Sequence, residues 1–248
     1  MSKTGNQHKT QEAPGIGLLN QRSLHSAIRE WYALPGDRFE TKVDGFIVDI
    51  VRGDLLIEIQ TANLAAVSRK LHALAAEHKV LLVFPIPIEK HIIRVTKRRR
   101  KVLSRRRSPK RGALIDLFDE LVRIPHLLNH ENFALEVLMT REEEIRCDDG
   151  KGSWRRKGVS ITDRKLVEVV DRVLFRSKWD FLQFVPADMD QPFTNKGLSE
   201  RTGSPVHMTR KITYCLKKMG VIKEVGKQGH ELLFERAAAP SHARPPSA

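Results

Sequence analysis

Two acidic side chains interrupt runs of otherwise apolar, β-forming residues: Asp49 within Phe46–Val51 and Glu58 within Leu55–Thr61. Alternate residues of a strand share a face, so Leu56, Glu58 and Gln60 project together, as do Ile47, Asp49 and Val51. Asp44-Gly45 and Gly53-Asp54 punctuate the runs as tight turns, and Phe39–Val43 precedes them, so a meander of three antiparallel strands is expected. Hairpin pairing would bring the two carboxylates close. A carboxylate left uncompensated in such surroundings costs several kcal/mol. A divalent cation, Mg²⁺ or Mn²⁺, compensates it usefully: it takes carboxylate, water and phosphate oxygens and lowers the pKa of an attacking water. Pairing of the acids with Arg52 or Lys42 is the competing structural explanation.

Several elements must position this pair. Ser23 to Ala33 carries Leu24, Ala27, Ile28 and Trp31 at helical spacing and is broken by Pro35-Gly36-Asp37. After the meander, Asn63 is placed to cap a helix through about Glu77, with Leu64, Val67, Leu71 and Leu74 as its apolar stripe. Val80–Phe84 reads as a strand buried on both faces, and Ile92–Val95 as one more. The order is helix, three strands, helix, strand.

With that order in place, residues 43–61 (VDGFIVDIVRGDLLIEIQT) resemble the PD-(D/E)XK, or restriction-endonuclease-like, nuclease superfamily, with archaeal-type Holliday junction resolvases as the nearest flavour. The resemblance covers about residues 20–96 and implies a metal-dependent phosphodiesterase. It gives Asp49 and Glu58 the two acidic metal positions and Gln60 the position of the lysine. Glu30 matches the extra helix-borne acid that some members use for metal, with Glu40 as its competitor. Gln60 departs from the pattern because it carries no charge; Lys70, one turn along the next helix, would supply that charge from outside the motif.

The rest of the chain bears on the partner. Formal net charge is +14 with a pI near 10.0, which favours polyanions because neutralised phosphates release counterions. Between residues 97 and 112 lies a basic linker or hairpin; Arg98, Arg99, Arg100, Arg105, Arg106 and Arg107 are its expected phosphate contacts. Residues 113–176 read as an α/β extension of uncertain role, with helices at Ala113–Leu121 and Asp163–Phe175, the latter from Leu166, Val169, Val170, Val173 and Leu174, and a strand at Phe133–Thr140. Trp154, in a basic stretch, is expected to pack on a neighbouring helix, although an aromatic there could also stack on a base.

Residues 177–236 give a helix at Trp179–Val185, a second at Lys196–Thr202 capped by Thr194, a third at Val206–Met219 stopped by Gly220, and a hairpin of Val221–Val225 and Glu231–Phe234. This order resembles the winged helix-turn-helix family, in which the second helix of the motif enters the major groove. The resemblance implies base contacts from Arg210 and Thr213 and phosphate contacts from Lys211, Lys217 and Lys227. Residues 1–20 and 237–248 read as disordered tails.

The expected fold class is therefore α/β (α+β): a nuclease-like core at 21–96 with a central mixed sheet, and a C-terminal winged helix-turn-helix domain. The expected function is Mg²⁺- or Mn²⁺-dependent cleavage of duplex or branched DNA. The alternative is a winged-helix DNA-binding or regulatory protein with a degenerate nuclease fold. RNA ranks below DNA because of the winged helix, and a homodimer stays open. No secretory signal or bilayer-length apolar run is seen, so a cytoplasmic location without a membrane partner is expected. Cys147 and Cys215 lack metal-type spacing and read as thiols in a reducing compartment.

Overall fold

The computed structural model describes residues 24–97 and 101–238. The tail expected at 1–20, all but two residues of the one at 237–248, and Arg98, Arg99 and Arg100 lie outside these residues. Helix α1 (Leu24–Tyr32) buries Leu24 and Ile28. Strands β1 (Arg38–Val43), β2 (Phe46–Arg52) and β3 (Leu55–Ile59) form the antiparallel meander expected. Its first turn places Asp44 at φ 48° and Gly45 at φ 85°, the left-handed pair that matches strand twist in a two-residue hairpin.

Asn63 does not cap the next helix as expected. It sits at φ 54° without a side-chain capping bond, and a 3-10 turn (Leu64–Val67) leads into α2 (Ser68–Glu77). Glu120 Oε2 instead accepts from Leu64 N at 3.0 Å, so a distant carboxylate satisfies this orphan donor.

The sheet has seven strands. Six follow the order β1-β2-β3-β4-β6-β7, and β5 pairs with β4 off that path. The two short strands expected at Val80–Phe84 and Ile92–Val95 are one element, β4 (Lys79–Val95), carried through a bulge at Ile88. Its first half runs parallel to β3, and its outer half pairs antiparallel with β5 (Val102–Arg107), so the basic segment is a hairpin strand. The helix expected at Ala113–Leu121 is broken into a 3-10 turn (Leu114–Leu117) and the single turn α3 (Phe118–Leu121). Strand β6 (Phe133–Asp148) is parallel to β4 along its whole length.

The helix expected at Asp163–Phe175 is wrong: these residues belong to strand β7 (Val159–Phe175), antiparallel to β6. The reason lies in its register. The pairing skips Thr162, Val167 and Val170, each an extra residue opposite the step between two β6 neighbours. Bulges this closely spaced break the two-residue alternation and leave apolar side chains at a mean spacing that imitates a helix. The β-branched content, Val167, Val169, Val170 and Val173, was the better signal.

Helix α1 covers one face of the sheet, where Leu24 and Ile28 pack with Ile50, Ile57, Ile59, Leu81, Val83 and Leu138. The larger core joins the other face to everything else: Leu71 and Leu74 of α2, Leu82 of β4, Phe118 of α3, Phe175, and Phe181 from a 3-10 turn (Lys178–Phe184) where a helix was expected. Each such aliphatic or aromatic side chain contributes about 1.5–3 kcal/mol by leaving water.

That core continues into α4 (Asn195–Thr202), α5 (Val206–Met219) and the hairpin β8 (Ile222–Gln228) and β9 (Glu231–Arg236). Thr194 caps α4 as expected, its hydroxyl accepting from Gly197 N at 3.0 Å. Helix α5 is held against the sheet domain as well as its own unit. Lys211 Nζ lies 2.5 Å from Asp119 Oδ1, and Asn129 Nδ2 donates to Lys218 O at 3.3 Å. The whole is a mixed α/β fold on a central mixed sheet. Both cysteines are buried free thiols, and among the described residues no helix is long and apolar enough to cross a membrane.

Candidate functional site

The β2–β3 ladder pairs Arg52 with Leu55, Val51 with Leu56 and Ile50 with Ile57, so its next step sets Asp49 opposite Glu58. There the backbone bonds give way to side-chain ones. Asp49 Oδ2 accepts from Ile59 N at 2.8 Å, while the Glu58 carboxylate accepts from Asp49 N. The two acids thus occupy the opening between the strands. This is the juxtaposition expected from alternation.

Each acid has one basic side chain beside it. Lys70 Nζ, from α2, stands 2.6 Å from Glu58 Oε2 and donates to Ile47 O at 2.5 Å. Glu58 Oε2 is thus held by the Lys70 ammonium, and no other donor reaches it. His25 Nε2, from the first turn of α1, lies 3.1 Å from Asp49 Oδ2. Neither Arg52 nor Lys42 plays this part; Arg52 is bidentate to Asp37.

These environments push the two acids apart. Burial raises Asp49, but hydrogen bonds from His25 and Ile59 N overcome it and hold the carboxyl below its ordinary value. Burial and the nearby Asp49 charge raise Glu58, and Lys70 offsets them only in part. The hydrogen bond to Asp49 raises His25 against the effect of its own burial. A low and a raised carboxyl side by side is the arrangement that assigns different roles to chemically similar groups.

The remaining expected members are not brought in. Gln60 turns its amide to Ala62 O at 2.6 Å, within its own loop. Glu30 lies five residues after His25, roughly 140° round the helix, and borders clefts with Trp31, Leu166 and Val169 and with Arg29 and Glu40. Glu40 pairs with Arg29. His25 is the residue that α1 delivers to Asp49, and it was not among the candidates expected from the sequence. Its signal was position: a polar residue between buried Leu24 and Ile28 on a helix lying over the acid-bearing strands.

Among the described residues no group of three or more His, Cys, Asp and Glu is arranged to hold a metal. The available donors are two carboxylates, one with an oxygen whose close partner is the Lys70 ammonium. That set suits a hard cation such as Mg²⁺, which keeps several waters and needs few protein oxygens.

The basic residues sort by strand face. Arg105 pairs with Glu143 at 3.2 Å and Arg107 with Glu89 at 2.8 Å, whereas Arg106 enters a cleft with Arg94 and Arg146. On α5, Thr213 is 2% exposed and its hydroxyl donates to Asn195 Oδ1 at 2.8 Å, so it does not reach outward as expected. Lys211 is committed to Asp119, and Lys217 lies 2.8 Å from Glu224. The open stripe of α5 consists of His207, Arg210, Tyr214, Lys217 and Lys218; Arg210, Tyr214 and Lys217 line a cleft with His230 and Leu232 of the hairpin. Lys227 is exposed on β8.

A family model described as "Domain of unknown function (DUF8091)" matches residues 22–176, which hold the whole seven-stranded sheet. An uncharacterized protein of Treponema pallidum (strain Nichols) is 30% identical over 232 residues, covering 93% of this chain and 91% of that one. No solved structure matches the chain. The match over well more than half of its length makes this chain a member of the DUF8091 family.

Proposed function

We propose that the chain is a metal-dependent DNA endonuclease of the PD-(D/E)XK type, joined to a winged helix-turn-helix unit that engages duplex DNA. The observation that carries this reading is the opening between β2 and β3, where Asp49 and Glu58 face each other and Lys70 stands 2.6 Å from Glu58. The element order around it, α1 to β4 with β3 and β4 parallel, supports the same superfamily.

Asp49 and Glu58 would hold the cation, which when bound supplies Lewis-acid charge and an acidified water. His25 keeps Asp49 ionised and oriented. Lys70 compensates Glu58 and, with Glu58 engaged by a cation, its ammonium would be placed to meet a scissile phosphate oxygen. Gln60 would join only if its amide left Ala62. The open face of α5, led by Arg210, and Lys227 on the hairpin would contact the duplex.

One observation favours the non-catalytic alternative: Lys70 and Glu58 already neutralise each other. Incubating purified protein and supercoiled plasmid with Mg²⁺ or Mn²⁺ separates the two readings. Nicking that Glu58→Ala abolishes is expected; equal nicking by wild type and Glu58→Ala removes the nuclease proposal. Absence of metal binding, with DNA affinity indifferent to Mg²⁺, supports the alternative.

A further inference from the structure

The outer ends of β4, β5, β6 and β7 form a cleft of about 350 Å³ far along the sheet from the carboxylates, lined by Ile92, Arg94, Arg106, Arg146, Asp148, Arg156, Lys157 and Val159. Five cations face one carboxylate there. Arg94 lies 3.6 Å from Asp148, and Arg146 is drawn to Glu144. Among the described residues no carboxylate pairs with Arg106, Arg156 or Lys157, so their charge is available to a ligand.

Beside the cleft stands Trp154, 83% exposed. The packing on a neighbouring helix expected for it does not occur. It opens the 3-10 turn Trp154–Arg156 that delivers Arg156 and Lys157 to the cleft, and the Arg155 guanidinium lies 5.8 Å from its ring centre. The turn is tied down. Arg156 N donates to Ser153 O at 2.9 Å, Lys157 N to Trp154 O at 3.0 Å, and Gly152 N to Gly158 O at 3.0 Å. A Cβ at Gly152 would stand 1.9 Å from Val159 O, so this close crossing of the chain requires glycine. A hydrogen-bonded loop therefore holds a large apolar ring in water next to guanidinium groups that no carboxylate neutralises, Arg156 giving only its Nε to Val159 O at 3.3 Å.

We infer that this end of the sheet is a second nucleic-acid contact, for a single-stranded segment whose backbone phosphates enter the basic cleft and whose base stacks on Trp154. An indole face is useful to a base that is out of its stack, and bases within a duplex are not. Planar guanidinium groups in a concavity suit phosphate oxygens of a strand that can enter it, whereas an anionic bilayer surface would be met by a flat or convex basic face instead of a cleft. The site shares a polyanion partner with the nuclease reading and none of its residues.

The test uses the full chain in EDTA, so that cleavage plays no part, with fluorescence anisotropy of a labelled oligothymidylate and of a duplex of equal length. Trp154→Ala is expected to weaken single-strand binding about 5- to 150-fold with duplex binding little changed, and Trp154→Phe to restore most of it. Arg106→Ala and Arg156→Ala should each reduce the slope of log affinity against log salt by about 0.7. Unchanged single-strand affinity in Trp154→Ala, or equal loss for single strand and duplex, would overturn the assignment. So would Trp154-dependent binding to phosphatidylserine–phosphatidylcholine vesicles without binding to the oligonucleotide. Plasmid nicking, read separately with Mg²⁺, reports on the carboxylates alone.

Discussion

Replacing Lys70 by Met keeps the side chain's length and removes the charge that compensates Glu58. The Lys70 and Glu58 side chains are 17% and 8% exposed, so this is a largely buried pair. Breaking such a pair costs about 3–5 kcal/mol when a charge is stranded, and residual solvent puts this case near 3. For a chain of this size that corresponds to a fall in Tm of roughly 6–12 °C. The loss depends on pH in a defined sense. Burial and Asp49 already hold Glu58 above its ordinary 4.5, and removal of Lys70 raises it further. The penalty is full above the raised folded-state pKa and fades as pH falls through it, because the folded protein then binds the proton that neutralises Glu58. Denaturant titrations of wild type and Lys70→Met from pH 8 down to 4.5 would therefore converge. A second substitution, Glu58→Gln, should recover much of the loss at neutral pH. If the carboxylates bind it, Mg²⁺ at a hundred times the variant's Kd should stabilise Lys70→Met by about 2.7 kcal/mol over the metal-free variant, and wild type by less. A Lys70→Met protein within 0.5 kcal/mol of wild type at every pH would refute the reasoning, whatever its activity.

Among the described residues Arg164 is the one cationic partner of Glu142, whose side chain is 0% exposed, through contacts of 3.0 and 2.8 Å; Arg164→Ala should cost about 3–5 kcal/mol by chemical denaturation, with Arg164→Lys an incomplete rescue. His72 and His130 share a 2.9 Å contact between ring nitrogens, and burial holds His72 below its ordinary 6.5. Stability should therefore be full above pH 6.5 and decline as pH falls through the depressed folded-state value, and His72→Gln should flatten that acid limb in thermal melts. Thr213→Val removes a buried donor to Asn195 and should cost about 1–3 kcal/mol; on the proposed DNA-binding reading, competition assays should show the sequence preference unchanged, and loss of that preference at full stability would place Thr213 among the base-reading residues after all.

The half of the molecule nearest the carboxylates was legible because its turns are spelled out locally. Asp44-Gly45 and Gly53-Asp54 set two hairpins, and strand alternation then put Asp49 and Glu58 together without tertiary information. Thr194, Gly203 and Gly220 marked the ends of α4 and α5 in the same way, the two glycines at φ 69° and 73°. What failed depended on partners distant in the chain. Strand β7 takes its form from three bulges against β6, which no window of its own sequence reveals. Leu64 is capped by Glu120, 56 residues on, so the local cap at Asn63 was never needed. His25, Lys211 and Thr213 each have a role set by what stands opposite, and Arg105 to Arg107 divide between two faces that a run of identical residues cannot distinguish.

Strand β4 passes Leu82, the neighbour of Glu58, and runs on without a break to Arg94 in the basic cleft. Twelve residues of extended chain span at most roughly 40 Å, and β6 pairs with β4 on one side throughout, with β3 on the other side at the near end and β5 at the far end. The protein thus carries a built-in caliper. On the proposed reading of both ends, a nucleic acid would have to bridge this fixed gap, with a single-stranded segment at the cleft, to engage the two sites together, and anything shorter would occupy one at a time.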